Sequence, residues 1–210
     1  PRLRTASLRC FSEASKILEL NGKQQSELER RKNALYEMAQ KEYASRDLSK
    51  ITEAIDGIMT DFPPCMHAFN IVLKTYILIN HTEGIRKTIE LISQNGLKPN
   101  TITYSLLISY YRNHRKMDDA VAVYERMKAA GVHPNGSIFT TLIAGFASQG
   151  NFSMAETYFK ESQGSTWVRS DLHLLNTMIS CYLTAGRPED ARKLAARMAE
   201  EGLKPNHVTY

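Results

Sequence analysis

The side chains that could do chemistry are few, and they do not assemble into a known site. His81, Thr82 and Glu83 give the His-x-Glu of zinc deaminases, in which the histidine ligates the metal and the glutamate shuttles protons. That chemistry also needs Pro-Cys-x-x-Cys downstream, whereas Pro64-Cys65 lies upstream with no second cysteine. Asp118-Asp119 and Glu189-Asp190 have the paired carboxylates of a nuclease, yet each pair stands where a helix is expected to begin and there complements the helix dipole. His114, His133 and His207 fall in turns or junctions without a Cys or Ser partner. Cys10, Cys65 and Cys181 are scattered, with no Cys-x-x-Cys pair, which speaks against structural zinc and a disulfide framework and fits a reducing compartment. There is no glycine-rich phosphate loop. The sequence points away from an enzyme, and no metal or cofactor is expected.

What recurs instead is a polar punctuation. Residues 96–100 read GLKPN, 131–135 read GVHPN and 202–206 read GLKPN again. Pro99 to Pro134 is 35 residues, and Gly131 to Gly202 is 71, or 35 and 36. This period registers four units, 66–100, 101–135, 136–171 and 172–206, the third with one extra residue, while 207–210 opens another. Phe69, Tyr104, Phe139 and Leu175 then align, as do Leu73, Ile108, Ile143 and Ile179, and Tyr76, Tyr111, Phe146 and Tyr182. Their i, i+4, i+7 spacing is one helical stripe. A second stripe carries Ile85, Ala120, Ala155 and Ala191. Each unit therefore reads as two helices, with Gly131 as a left-handed stop, Pro134 beyond it, and Pro188 as a first-turn proline. In 101–135 the second helix buries Ala120, Val123, Tyr124 and Met127. The third unit replaces the usual ending with SQGSTWVRSD, so a longer junction is expected at 164–171, with Trp167 packed there. No such unit can bury its stripe alone, so units must stack. The expected fold is all-α: a right-handed α-solenoid of stacked antiparallel helix pairs in 35-residue repeats.

Composition agrees with a folded, water-exposed chain: 42% of its residues are hydrophobic and 23% charged, which argues against wholesale disorder. The longest apolar runs, such as 71–79, fall well short of the roughly 18–20 residues that span a bilayer, so no membrane partner is expected. Of the formal charge of +5, most lies in 66–206, with 16 basic and 12 acidic side chains against 11 and 10 in 1–65; this suits a polyanionic partner. Residues 1–22 form a basic segment whose first twelve residues hold Arg2, Arg4 and Arg9 and no acid, the composition of an organelle transit peptide or a disordered tail. Residues 23–65 read as a helical cap or degenerate repeat, with Ala34 where the first aromatic should stand.

Tetratricopeptide repeats are also helical hairpins, but they run at 34 residues and carry a Trp-Leu-Gly-Tyr pattern absent here. NTITYSLLISYYRNHRKMDDAVAVYERMKAAGVHPN and NTMISCYLTAGRPEDARKLAARMAEEGLKPNHVTY instead resemble pentatricopeptide (P-type) repeats, whose consensus runs V-T-Y-N-x-L-I, then G-x-x-x-x-A, then M-x-x-x-G-x-x-P-D. The resemblance covers 66–206. It implies single-stranded RNA binding in an organelle, the mitochondrion or alternatively the chloroplast, at one base per repeat, acting in transcript processing, stability or translation. In the family, two side chains per unit read the base: the residue after the first aromatic and the unit's last residue. By resemblance these are Asn70 with Asn100, Ser105 with Asn135, Thr140 with Asp171, and Asn176 with Asn206, for a target of 5′-Y-A-G-Y-3′. The base-sandwiching place holds His67, Ile102, Ser137, His173 and Val208, of which Ser137 stacks poorly. The family's phosphate-facing lysine is replaced by Leu78, Asn113, Ser148 and Thr184, leaving backbone attraction to Arg112, Arg115 and Lys116.

Two alternatives stay open. Asn100, Asn135, Asp171 and Asn206 are also ordinary helix N-caps; four in register, the first three with a polar partner five residues on, favour reading. The chain is otherwise a structural component of an organellar ribosome or another complex, gripping proteins or rRNA. At about 1–3 kcal/mol per stacked base, against an association cost of at least about 4 kcal/mol, four units bind at micromolar strength or weaker. A longer array is expected.

Overall fold

The computed structural model describes residues 22–42, 49–165 and 172–200. Residues 1–21 of the basic segment, Trp167, Asp171, Asn206, Val208 and the opening of the next unit lie outside them. Among the described residues every regular element is an α-helix, and none is long and apolar enough to cross a membrane. The chain divides into two compact units, one ending at Pro99 and the other beginning at Asn100.

The first unit holds α1 (Gly22–Glu42), α2 (Ser49–Asp61), α3 (Met66–Leu78) and α4 (Thr82–Gln94). Helix α1 packs on α2 and α3, and α3 packs in turn on α2 and α4. Leu28, Leu35 and Ala39 of α1 present one face, at i, i+7, i+11, to Ile51, Ile55 and Ile58 of α2, spaced i, i+4, i+7. Ala68, Ile71 and Val72 of α3 complete this core. Helix α4 begins at the His-x-Glu triplet, and its geometry explains those residues without a metal. His81 Nδ1 accepts the backbone N–H of Gly84 at 2.9 Å, capping the helix, while the Glu83 carboxylate binds Arg86. Gly84 lies under the Tyr76 ring, where a Cβ would stand 2.4–2.6 Å from three ring carbons.

The second unit holds six helices, all of 13 residues: α5 (Thr101–Asn113), α6 (Met117–Ala129), α7 (Gly136–Ser148), α8 (Phe152–Gly164), α9 (Leu172–Thr184) and α10 (Pro188–Glu200). Counting α3, the first helices of the repeats start at residues 66, 101, 136 and 172, in steps of 35, 35 and 36. Within the second unit α5, α7 and α9 lie side by side in that order, and α6 and α8 each pack on their own partner and on the first helix of the next repeat. This is a solenoid of stacked helix pairs. The aligned stripe is its core: Tyr104, Ile108, Phe139, Ile143, Leu175 and Ile179 are buried, as are Ala120, Ala155 and Ala191. Tyr124, fully buried on α6, meets Phe139 edge-on at 5.9 Å between centroids and Tyr158 at 5.6 Å.

Six helices, α3 to α7 and α9, stop by the same device, whereas α8 ends at Ser165 in extended backbone (φ −84°). A left-handed residue lets the following N–H bond back to a carbonyl five residues earlier, which satisfies an orphan of the last turn. Gly131 (φ +70°) does this after α6, with Val132 N–H donating to Met127 O at 3.1 Å, and Gly96 (φ +66°) does it after α4. The turns inside the repeats use Asn80, Arg115, Gly150 and Gly186, and their acceptors are the carbonyls of the aligned aromatics Tyr76, Tyr111, Phe146 and Tyr182. Arg115 holds φ +57° without being glycine, a conformation that costs about 1–2 kcal/mol.

Two glycines in helix interiors should respond in opposite ways. Gly84→Ala forces a Cβ into a rigid ring and should destabilise by about 1–3 kcal/mol. Gly57→Ala, in α2 with nothing within 4 Å of the added carbon, should stabilise by about 0.5–1 kcal/mol through helix propensity. Urea unfolding of both variants decides this. Equal shifts of the same sign would contradict the packing described for Tyr76.

Candidate nucleic-acid interface

The residues expected to read bases belong to two structural classes. Asn100 and Asn135 stand just before α5 and α7, in extended backbone, and both are N-caps. Asn135 Oδ1 accepts the Ile138 N–H at 3.1 Å. Asn100 Oδ1 accepts the Thr103 N–H at 3.1 Å, and Thr103 Oγ1 accepts the Asn100 N–H at 3.3 Å, closing a capping box. Cys65, one period before Asn100, caps α3 with a thiol at 3.5 Å. In a capped asparagine the oxygen is committed to the helix, so the amide group on the other branch, which only donates, faces away from it.

The second class sits one turn inside the first helices. Ser105 is half-buried, whereas Asn70, Thr140 and Asn176 are only 7, 8 and 6% exposed, less open than a groove-lining series requires. The i+4 hydroxyl geometry explains Thr140: its Oγ1 donates to the Gly136 carbonyl at 2.9 Å, leaving lone pairs but no proton for a ligand. Asn176 nevertheless lines a groove of about 550 Å³ between α7 and α9, together with His173, Thr177 and Ser180 on its own helix and Ala144 and Ser148 opposite. Asn176 and His173, one reading and one sandwiching residue expected in that repeat, thus share one wall. The Cys181 thiol also borders the groove, and burial pushes its pKa up, so it stays protonated.

Of the sandwiching set, Ile102 is 57% exposed, and Ser137, His173 and His67 are also exposed. His67 has a partner on another helix: its Nε2 lies 2.9 Å from Glu29 Oε1 of α1. The Glu29 carboxyl, held by Lys32 and then by His67, sits below its ordinary pKa. This contact links residues 38 apart and has no sequence signature.

The charges divide by helix. On the second helices Lys128 bridges to Glu161 at 3.1 Å, and Arg187, just before α10, bridges to Glu156 at 3.1 Å and Asp190 at 2.7 Å; Arg187 holds the Glu156 carboxyl below its usual range. Arg112, at the end of α5, and Arg115 and Lys116, in the turn before α6, pair with no carboxylate among the described residues. Sequence reading missed the groove and the state of Arg112. The run of small residues Ala144, Ala147 and Ser148 was the available signal for the groove.

Comparison with known proteins bears on the family and the fold. Among family models, one described as the PPR repeat family matches residues 103–148 and 170–210, the pentatricopeptide repeat domain matches 59–114, and the PPR repeat matches 137–165. The chain belongs to the pentatricopeptide repeat family. Its relatives in Arabidopsis thaliana include a chloroplastic pentatricopeptide repeat-containing protein, 29% identical over 145 residues, which covers 68% of this chain and 18% of the relative. A mitochondrial one is 32% identical over 133 residues, with 60 and 29% covered. The small ribosomal subunit protein mS81 is 24% identical over 140 residues, with 66 and 21% covered. The chain spans less than a third of the length of these relatives. Among solved structures, that of maize PPR10 in complex with an 18-nucleotide psaJ RNA element superposes with a TM-score of 0.65 at 22% identity, over 84% of this chain and 26% of that one. The fold is the same.

The caps can be tested as caps. Asn100→Ala and Asn135→Ala should each lower stability by about 1 kcal/mol, whereas Asn135→Asp, an equally good N-cap, should leave it nearly unchanged. Urea midpoints that do not separate alanine from aspartate at residue 135 would remove the cap.

Proposed function

We propose that the chain binds single-stranded RNA inside an organelle, meeting successive bases with successive repeats, and acts by masking or recruiting transcripts rather than by catalysis. The observation that carries this reading is the groove between α7 and α9, onto which Asn176 and His173 of one repeat both open. A base entering it would meet a polar side chain at its edge and an imidazole at its face, the pairing by which unstacked bases are recognised. Relatives named chloroplastic and mitochondrial support an organelle without choosing one.

The hydrogen-bond geometry supports the order of bases. Asn135, with its oxygen spent on Ile138, offers donors, and adenine presents the acceptor N1 on its pairing edge. Thr140, with its proton spent on Gly136, offers acceptors, and guanine presents N–H donors. The Thr140 repeat ends in Asp171, which can only accept when ionised. With the pyrimidines that the family resemblance implies for Asn70 with Asn100 and Asn176 with Asn206, the proposed target is 5′-Y-A-G-Y-3′.

A second reading, a structural subunit that grips protein or rRNA without reading bases, is favoured by the low exposure of Asn70, Thr140 and Asn176 and by the match to mS81. One substitution separates the two. Asn135→Asp keeps the cap but exchanges a donor for an acceptor. Its preference opposite the second repeat should move from adenine to guanine by about 1 kcal/mol or more, read by competition between RNAs differing at that base. An unchanged preference would end the code reading for this repeat.

A further inference from the structure

Among the described residues of the second unit, one cation has an environment at odds with stability. Arg112, in the last turn of α5, is half-buried, and no carboxylate among the described residues pairs with it. Its Nε is buried without a hydrogen-bond partner. Leaving such a donor unsatisfied works against folding, and removing a buried charge in favour of an apolar side chain is often neutral or stabilising. The other repeats have made that choice, since Ile77, Ala147 and Leu183 stand at the equivalent place. The fold also makes room for the arginine. A Cβ at Gly145 of α7 would come within 3.0 Å of Arg112 Cγ and 2.5 Å of Met117 Sδ, so the missing side chain lets α7 approach the arginine stem. The head is then steered outward, because Nη2 donates to Oδ1 of exposed Asn113 at 2.9 Å.

We propose that Arg112 is an anion-binding residue whose guanidinium, on the stem packed against Gly145 and Met117, takes a phosphodiester oxygen of the bound strand. This rests on the RNA-binding reading of the preceding subsection. Ser105 and Arg112 are seven residues apart, two helical turns, and so lie on one face of α5 about 10 Å apart along the axis. One helix then presents a base-facing hydroxyl and a phosphate-facing cation to the same strand. A planar fork in a half-buried site holds a phosphate oxygen better than a mobile surface lysine, because little side-chain freedom is left to lose.

The test compares the whole chain with its Arg112→Met variant, which keeps the stem's bulk and removes the charge. Three probes are used: an oligouridylate, an RNA carrying 5′-YAGY-3′, and inorganic tripolyphosphate. The variant should melt at the same or a higher temperature, yet bind both RNAs about tenfold more weakly and by the same factor. The slope of log affinity against log salt should shrink by about 0.7, one phosphate contact on a single strand. Tripolyphosphate should raise the melting temperature of the parent more than that of the variant. Arg112→Lys should restore the slope but only part of the affinity. An unchanged salt slope on oligouridylate overturns the proposal whatever the melting temperature does, and so does a parent that responds to neither RNA nor tripolyphosphate. Failure of base reading looks different: the parent would not distinguish the two RNAs, while the slope difference would persist.

Discussion

A pair of 13-residue helices has an apolar stripe it cannot cover, and the rest of the molecule follows from how the next pair covers it. Tyr124 makes the dependence concrete. It belongs to one repeat, but its ring is enclosed by Phe139 and Tyr158 of the next, and its hydroxyl donates to Glu161 of that repeat at 2.9 Å. Burial, and then the Glu161 carboxylate, push the phenol's pKa well up, so it remains a donor throughout the physiological range. The aligned Phe159 is buried in the same way without a hydroxyl. Because α6 and α8 each pack on the following first helix, α5, α7 and α9 are drawn side by side at a separation set by side-chain size, roughly 8–10 Å. Even spacing of the polar residues along α5, α7 and α9 is a by-product of core packing.

The charge pattern has the same origin. Residues on second helices one repeat apart are close neighbours, and the ladder from Lys128 to Glu161 and from Glu156 to Arg187 exploits this. These bridges are partly exposed and each contributes little to stability. They tie successive second helices together, whereas Arg112, Arg115 and Lys116 form no ion pair among the described residues.

What could be learned from the sequence was whatever repeats. Helix starts and stops, the buried stripe and the glycine turns at Gly96 and Gly131 were legible because the same physical requirement recurs at a fixed step, so the repeats vouch for one another. Three things were not. The left-handed turn at Arg115 is invisible in composition, since an ordinary residue holds the place that Gly150 and Gly186 fill in later repeats. The His67–Glu29 contact joins α3 to a helix whose sequence departs from the repeat pattern. The depth of Thr140 and Asn176 depends on how closely neighbouring first helices approach, which small residues such as Gly145 and Ala147 decide, and a periodic alignment records position but not closeness. His81 illustrates the converse: a sequence motif suggestive of metal chemistry turned out to be a helix start.

Capping and reading seemed to compete for the same asparagines, but the geometry makes them complementary. A surface asparagine free to rotate offers a base either its oxygen or its amide, and discriminates poorly until one is fixed. Fixing it on binding costs about 0.5–1.5 kcal/mol per side chain. A cap fixes it during folding, where the hydrogen bond to Ile138 offsets that loss, and it selects which half of the amide faces outward. On the proposed reading, the identity of the capping residue then sets the chemistry: asparagine exposes donors and aspartate exposes an acceptor, while both serve the helix equally well. Specificity can therefore change at a capped position with little consequence for the fold, which is what a repeat must allow if copies of one scaffold are to meet different bases.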